Sequence, residues 1–278
     1  MVWIIVLLTY KSHDSINSAL VSTGTNTGST RSGSSKGPSK IAMITFTTDE
    51  RTYTVQALKN KHDYARKHNY DIHVDFEAPD EQGMMWHKLG MVERLIKDPN
   101  NHYDWIWWLD FDILITNYRI SLESIITDAL ANATKPDDID FILTPDCMEL
   151  NAGSMLFRAH PRTLDFLSRA RAYGKTHSDQ SEQDCIRDLI YGNEGDGSKK
   201  LDENGKRIQI EKSALFIPQY KINAFPEEIG CYDGTYEGWK DGMFVAHFAG
   251  AWAHLKVDDP YGELFRKYGG RVDQAKDL

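Results

Sequence analysis

The chain has 278 residues, enough for one large domain or two small ones with a sizeable core. Its 41 acidic against 32 basic residues give a formal charge of −9, so no global field favours nucleic acid, and no dense Lys/Arg run supplies a local one. An ordinary charged fraction and an abundance of aromatics (7 Trp, 13 Tyr, 11 Phe) exclude disorder and coiled coil for the bulk, and 3 well-spaced Cys exclude a disulfide scaffold or a structural zinc site.

In chain order, residues 1–10 are apolar, but the run 2–8 is too short to span a bilayer. Residues 11–39 are dense in Ser, Thr and Gly and read as a flexible stem. An apolar start, a stem and a globular domain over 40–278 is the layout of a membrane-tethered lumenal enzyme. On this reading residues 1–10 are the remnant of a type II anchor; the bland alternative is a disordered terminus. Strands are expected at 41–47, 71–76, 103–109, 139–144, 153–158, 214–218 and 243–248, from short apolar or β-branched runs. Helices are expected at 52–69, 84–97, 161–173 and 178–191, the last with Ser178 or Ser181 as N-cap. Residues 192–205 are polar and Gly-rich, a surface loop. Strands alternating with helices predict an α/β domain with a mostly parallel central sheet.

The chemistry concentrates at WWLDFD (107–112). Two carboxylates two residues apart, at the end of an apolar strand, point to one side if the segment is extended. Asp110 and Asp112 then converge on a hard cation, Mg²⁺ or Mn²⁺, where open α/β sheets bind ligands. The competing reading is a polar strand end or turn. VAHFAG (245–250) offers His247 as a third ligand, which favours Mn²⁺, followed by Gly250, where backbone approaches closely. The alternative for His247 is a satisfied core histidine. Asn151, Ala152 and Gly153 form a small-residue turn that can line a ligand. SEQD (181–184) opens a helix, where its carboxylates also suit simple capping.

These motifs in this order resemble the family-34 glycosyltransferases, the galactosyl/mannosyltransferases of the fungal Golgi and the plant xyloglucan xylosyltransferases. The matching segments are WHKLGMVERLI (86–96), WIWWLDFDILI (105–115), DFILTPDCMELNAGSMLFR (140–158), SEQD (181–184), PQYKINAFP (218–226) and FVAHFAGAW (244–252), and the likeness covers about 40–272. It implies a GT-A fold, a Rossmann-like single catalytic domain, with a nucleotide-sugar donor (UDP-galactose or GDP-mannose), Mn²⁺ and retention of anomeric configuration. The metal falls to Asp110, Asp112 and His247. The donor falls to Thr45 and Thr47 (base or ribose), Lys88 (phosphates), Asn151, Ala152, Gly153 and Gly250. Gln183 and Asp184 face the anomeric carbon, Asp184 binding sugar hydroxyls and Gln183 the oxocarbenium face.

The resemblance also implies a mannose-containing glycan as acceptor, a lumenal catalytic domain anchored in the Golgi membrane and a Golgi glycosyltransferase complex as partner. The alternative is a non-catalytic or weakly active subunit of a Golgi mannosyltransferase complex. A metal-dependent phosphohydrolase would need further strand-end ligands that the sequence lacks. Trp86, Trp239, Trp252 and Tyr236 offer apolar faces for acceptor sugars. In one departure, plant members carry a Lys just after H-F-x-G, where this chain has Ala251, Trp252, Ala253 and His254, with Lys256 beyond. Asn132-Ala133-Thr134 is a glycosylation sequon compatible with the lumen. If the segments around them pack together, Cys147 and Cys185 bridge and leave Cys231 free; otherwise all three are thiols.

Overall fold

The computed structural model describes residues 39–192, 200–203, 205 and 207–273. The anchor and all but the last residue of the stem lie outside these, as does part of the 192–205 loop. Among the described residues no helix is long and apolar enough to cross a membrane.

The chain alternates as expected: β1 (Ile41–Phe46), α1 (Thr54–His68), β2 (Asp71–Asp75), α2 (His87–Lys97), β3 (Trp105–Leu109), β4 (Ile113–Ile115) and α3 (Leu122–Ala131). Then follow β5 (Phe141–Thr144), β6 (Asn151–Arg158), α4 (Pro161–Thr176), α5 (Glu182–Tyr191), β7 (Ala214–Phe216), β8 (Val245–His247), α6 (Ala251–His254) and α7 (Pro260–Gly269). The helices α3, α6 and α7 and the strand β4 carry no prior expectation. Residues 113–115 are too short a run to read apart from the strand before them. The helix 178–191 begins later, at Glu182, because Ser181 caps it: its side chain accepts from the Asp184 N–H.

A six-stranded sheet runs in the order β2-β1-β3-β6-β5-β7, with β6 antiparallel to both its neighbours and the other five strands parallel. Strand alternation splits the core. Ala42, Ile44, Ile106 and Trp108 face one layer with Leu89, Val92, Phe166 and Ile186, from α2, α4 and α5. Ile41, Met43, Trp105, Trp107 and Leu109 face the other, with Tyr64, Leu122 and Ile125 from α1 and α3. Adjacent Trp107 and Trp108 thus point to opposite sides, and each indole N–H is used: to Ser154 Oγ at 2.9 Å and to Asp110 Oδ1 at 3.0 Å.

A separate ribbon decides where the site forms. β4 pairs antiparallel with β8, setting Ile113 opposite His247. A third apolar cluster, with Phe111, Leu114, Phe225, Phe248 and Phe265, clamps this ribbon beneath α7. The disulfide corrects one expectation. Cys147 bonds Cys231 with a Cα–Cα distance of 5.0 Å, and Cys185 is the free, buried thiol. Cys185 lies on the inner face of α5, buried within the first core layer, while Cys147 is taken up by Cys231. Burial, reinforced by Asp184, pushes that thiol up to about 11.

Candidate metal and donor site

Asp110 and Asp112 do not lie on an extended segment. The Ile113 N–H donates to Asp110 O at 3.1 Å, closing a tight turn between β3 and β4. The two carboxylates converge because the chain reverses, not because i and i+2 share a strand face. His247 arrives across the β4–β8 ladder. Ligand atoms of Asp110, Asp112 and His247 all lie within 4.8 Å of one another. Nε2 of His247 is 3.4 Å from Asp112 Oδ1 and 3.9 Å from Asp110 Oδ2.

The imidazole passes a direct test for a metal ligand. Nδ1 is engaged with Asn223 Oδ1 at 2.5 Å, so it carries the proton and leaves the Nε2 lone pair aimed at the carboxylates. Nε2 is buried and makes no hydrogen bond. A polar atom orphaned in this way is costly unless something fills the gap. Two carboxylates and an imidazole are the donor set of a divalent cation with open positions. Space for one is kept by Gly153. A Cβ there would run into His247 Cε1 and come within 2.9 Å of Asn151 Oδ1 and 3.0 Å of Asp110 Oδ2.

The surrounding charges are hidden and paired. Lys88 is buried, 2.9 Å from Glu182 Oε1 and 3.6 Å from Asp110 Oδ1. It therefore lies under the carboxylates rather than projecting into open space. Burial works against its charge, but Asp110 and Glu182 outweigh that and hold its pKa above the ordinary range. Burial raises the Asp110 carboxyl, helped by Asp112 and opposed by Lys88. Burial would also raise Asp112, yet the positive charge of His247 when its ring is protonated, together with Lys61, pulls it below the ordinary value. Lys61, on α1, is fully buried and donates to the carbonyls of Phe111 (3.0 Å) and Ile113 (2.6 Å), pinning the turn from below. Burial brings its ammonium down to about 7, with Asp112 and Asp110 resisting.

The remaining expected residues divide. Thr47 lines a cleft of about 440 Å³ with Phe46, Arg51, Tyr53, Trp108, Asp110 and Asp112. Thr45 is fully buried and does not line it. Asn151 is a linchpin: its Oδ1 accepts from the Gly153 N–H and from Asn223 Nδ2, and its Nδ2 donates to Asp146. Ala152 is buried; its N–H donates to Gln183 Oε1 at 2.8 Å, tying α5 to β6. Asp184 caps α5, accepting from Ser181 N–H and Oγ, and pairs with Arg187 at 2.8 Å. Gly250 takes a left-handed φ of +63° as the N-cap of α6, a conformation that favours glycine. Lys256 is exposed and donates to Ala253 O.

Three supporting residues, Lys61, Asn223 and Asp146, carry no expectation of their own, and Glu182 was expected only as a carboxylate at a helix start. Lys61 was within reach, since it interrupts the buried stripe Ala57, Lys61, Tyr64, Ala65 of α1, where a charge must find partners. Asn223 leaves no such trace; its role exists only across 24 residues of separation from His247.

The fold is that of GT-A glycosyltransferases. A solved structure titled as a glycosyltransferase involved in glycosylation of the major capsid of PBCV-1 superposes with a TM-score of 0.55 at 14% identity, covering 82% of this chain and 99% of that one. The family follows from the sequence: the pattern of the galactosyl transferase GMA12/MNN10 family matches residues 38–258, and the chain belongs to that family. Among its relatives, the probable alpha-1,2-galactosyltransferase gmh2 of Schizosaccharomyces pombe is 28% identical, over 78% of this chain and 65% of its own length. The probable alpha-1,6-mannosyltransferase MNN10 of Saccharomyces cerevisiae is 26% identical, over 70% and 54%. The xyloglucan 6-xylosyltransferase 4 of Arabidopsis thaliana is 31% identical, over 88% and 50%. The chain spans between half and two thirds of the length of these three relatives.

Proposed function

We propose that the chain is a retaining, Mn²⁺-dependent hexosyltransferase that moves galactose from UDP-galactose onto a mannose-containing glycan in the Golgi lumen. The observation that carries this reading is the buried, unpartnered Nε2 of His247 facing Asp110 and Asp112 at the mouth of the cleft. The galactosyltransferases gmh2 and gmh1 among its relatives favour galactose. Mannose from GDP-mannose is the second reading, favoured by the named mannosyltransferase.

Asp110, Asp112 and His247 would hold the cation. When bound, it supplies Lewis-acid neutralisation of the departing diphosphate. The protein prepares for that charge. Trp108 and Lys88 orient Asp110, Asn223 fixes the imidazole tautomer, and Lys61 holds the turn, so little reorganisation is left for the reaction itself. Thr47 and Arg51 line the cleft toward the nucleotide. Gln183 and Asp184, half-buried at the start of α5, serve the donor sugar. In same-face transfer the bond from the anomeric carbon to the diphosphate oxygen breaks and the acceptor oxygen bonds to that carbon. The acceptor proton passes to a diphosphate oxygen, so no protein base is required.

The Cys147–Cys231 bridge supports an oxidising compartment, and the N-terminal sequence supports an anchor and stem. The test is a panel of nucleotide sugars with an α-mannoside acceptor, with and without Mn²⁺. Mn²⁺-dependent transfer from UDP-galactose with an α-configured product is expected. Transfer from GDP-mannose alone would select the second reading. No binding and no turnover of any donor would leave the non-catalytic subunit.

A further inference from the structure

We propose that Trp252 is the platform of an acceptor subsite that stacks against the apolar face of a neutral pyranose. This rests on the transferase reading above. Trp86, Trp105, Trp107, Trp108 and Trp239 are all buried, whereas Trp252 is 70% exposed. Of the four aromatic residues expected to meet acceptor sugars, it alone is free: Trp239 lies within the third core cluster, Trp86 in the first, and the Tyr236 hydroxyl accepts from the Phe225 N–H.

Its placement is specific. Trp252 lines the same cleft as Asp110 and Asp112, together with Met84 and Met85, two further large apolar side chains left exposed. It sits five residues after His247, on α6, so the ladder that delivers the imidazole also sets where that helix begins. The short helix is anchored by buried Ala251 and closed by Leu255 N–H to Ala251 O at 2.9 Å. A rigid indole at the mouth of a polar cleft loses little conformational entropy on binding, and its face matches the C–H face of a hexose. A carboxylate or phosphate ligand would instead call for a free cation beside it: the cation in the cleft lining, Arg51, is paired with Asp49 at 2.8 Å, and the neighbours of the indole on α6, Ala251 and Ala253, are neutral. The nucleotide is assigned to the end of β1, at Thr47, which leaves the α6 side of the cleft for the acceptor.

The test compares wild type, Trp252→Ala and Trp252→Tyr with α-linked mannotriose as acceptor. The alanine variant should raise the acceptor KM about tenfold, with a much smaller change in kcat, and tyrosine should restore most of the loss. Independently of turnover, saturating mannotriose should shield the chain's fluorescence from iodide quenching, and Trp252→Phe should lose that shielding. A donor KM that rises while the acceptor KM stays fixed would assign the indole to the nucleobase and overturn the proposal. An unchanged acceptor KM with unchanged quenching would overturn it too. A wild-type chain that transfers to no acceptor sinks the transferase reading instead, a separate outcome.

Discussion

Two hollows in this molecule contrast in size and in chemistry. The larger, about 780 Å³, lies between α3 and the segments around 217–221 and 240–244, with Ile125, Ala129, Tyr220, Lys240 and Met243 in its wall. The smaller, about 440 Å³, ends on Asp110 and Asp112. Volume would choose the first. Yet no buried polar atom in its wall lacks a partner among the described residues, and its charged groups Asp128, Lys240 and Asp241 face solvent. The smaller cleft is backed by Lys61, Lys88, Glu182, Asn223 and His247, all buried, which would be costly without a task. Space identifies where something fits; converging, desolvated polar groups identify where chemistry happens.

The contrast can be broken by mutation. The largest effect is expected from Asp110→Ala, which should cut metal-dependent turnover by about three orders of magnitude and weaken Mn²⁺ binding measured by titration calorimetry. Turnover within tenfold of wild type would move the site elsewhere. Lys88→Met should come next. It strands Glu182 as an unpaired buried carboxylate and should cost about 3–5 kcal/mol of stability, read from urea unfolding. A loss below about 1 kcal/mol would mean that Lys88 does not hold these charges together.

A smaller and more diagnostic effect concerns pH. Lys61 falls from its ordinary 10.5 to about 7, chiefly through burial. Between those values the unfolded chain binds the extra proton and the folded chain does not, so stability without metal should rise from about pH 7 to about 10.5. Chelator-treated Lys61→Met should lose that slope; an equal slope in the variant would rule out Lys61 as its source. At the small end, Lys240→Ala in the larger groove should leave turnover within about twofold and stability within about 0.5 kcal/mol. A tenfold loss of activity there would give the larger groove a function and undo the contrast.

Much of this was legible in the residues, and the reasons are local. Apolar runs such as IAMITF and WIWWL can only be satisfied as buried strands, and their spacing with helical stripes fixes an α/β layout. The candidate metal ligands were legible as types and positions, because two carboxylates after an apolar strand call for a cation. Their convergence was not. It comes from a three-residue strand, Ile113–Ile115, too short to announce itself, pairing with residues 245–247, far along the chain. Asn223, Glu182 and the Cys147–Cys231 pairing were equally hidden, since each depends on which segments meet.

Sequence by itself determined the α/β class, most of the strands and helices and the residue types at the candidate metal site, because hydrophobic periodicity and residue chemistry act over a few neighbouring positions. Tertiary structure decided the rest. It turned Asp110-Phe111-Asp112 into a tight turn, buried Lys88 beneath it, chose Cys231 over Cys185 and left one tryptophan exposed at the cleft. Those outcomes are set by long-range packing and by desolvation of charge, whose energies depend on neighbours that the local sequence does not name.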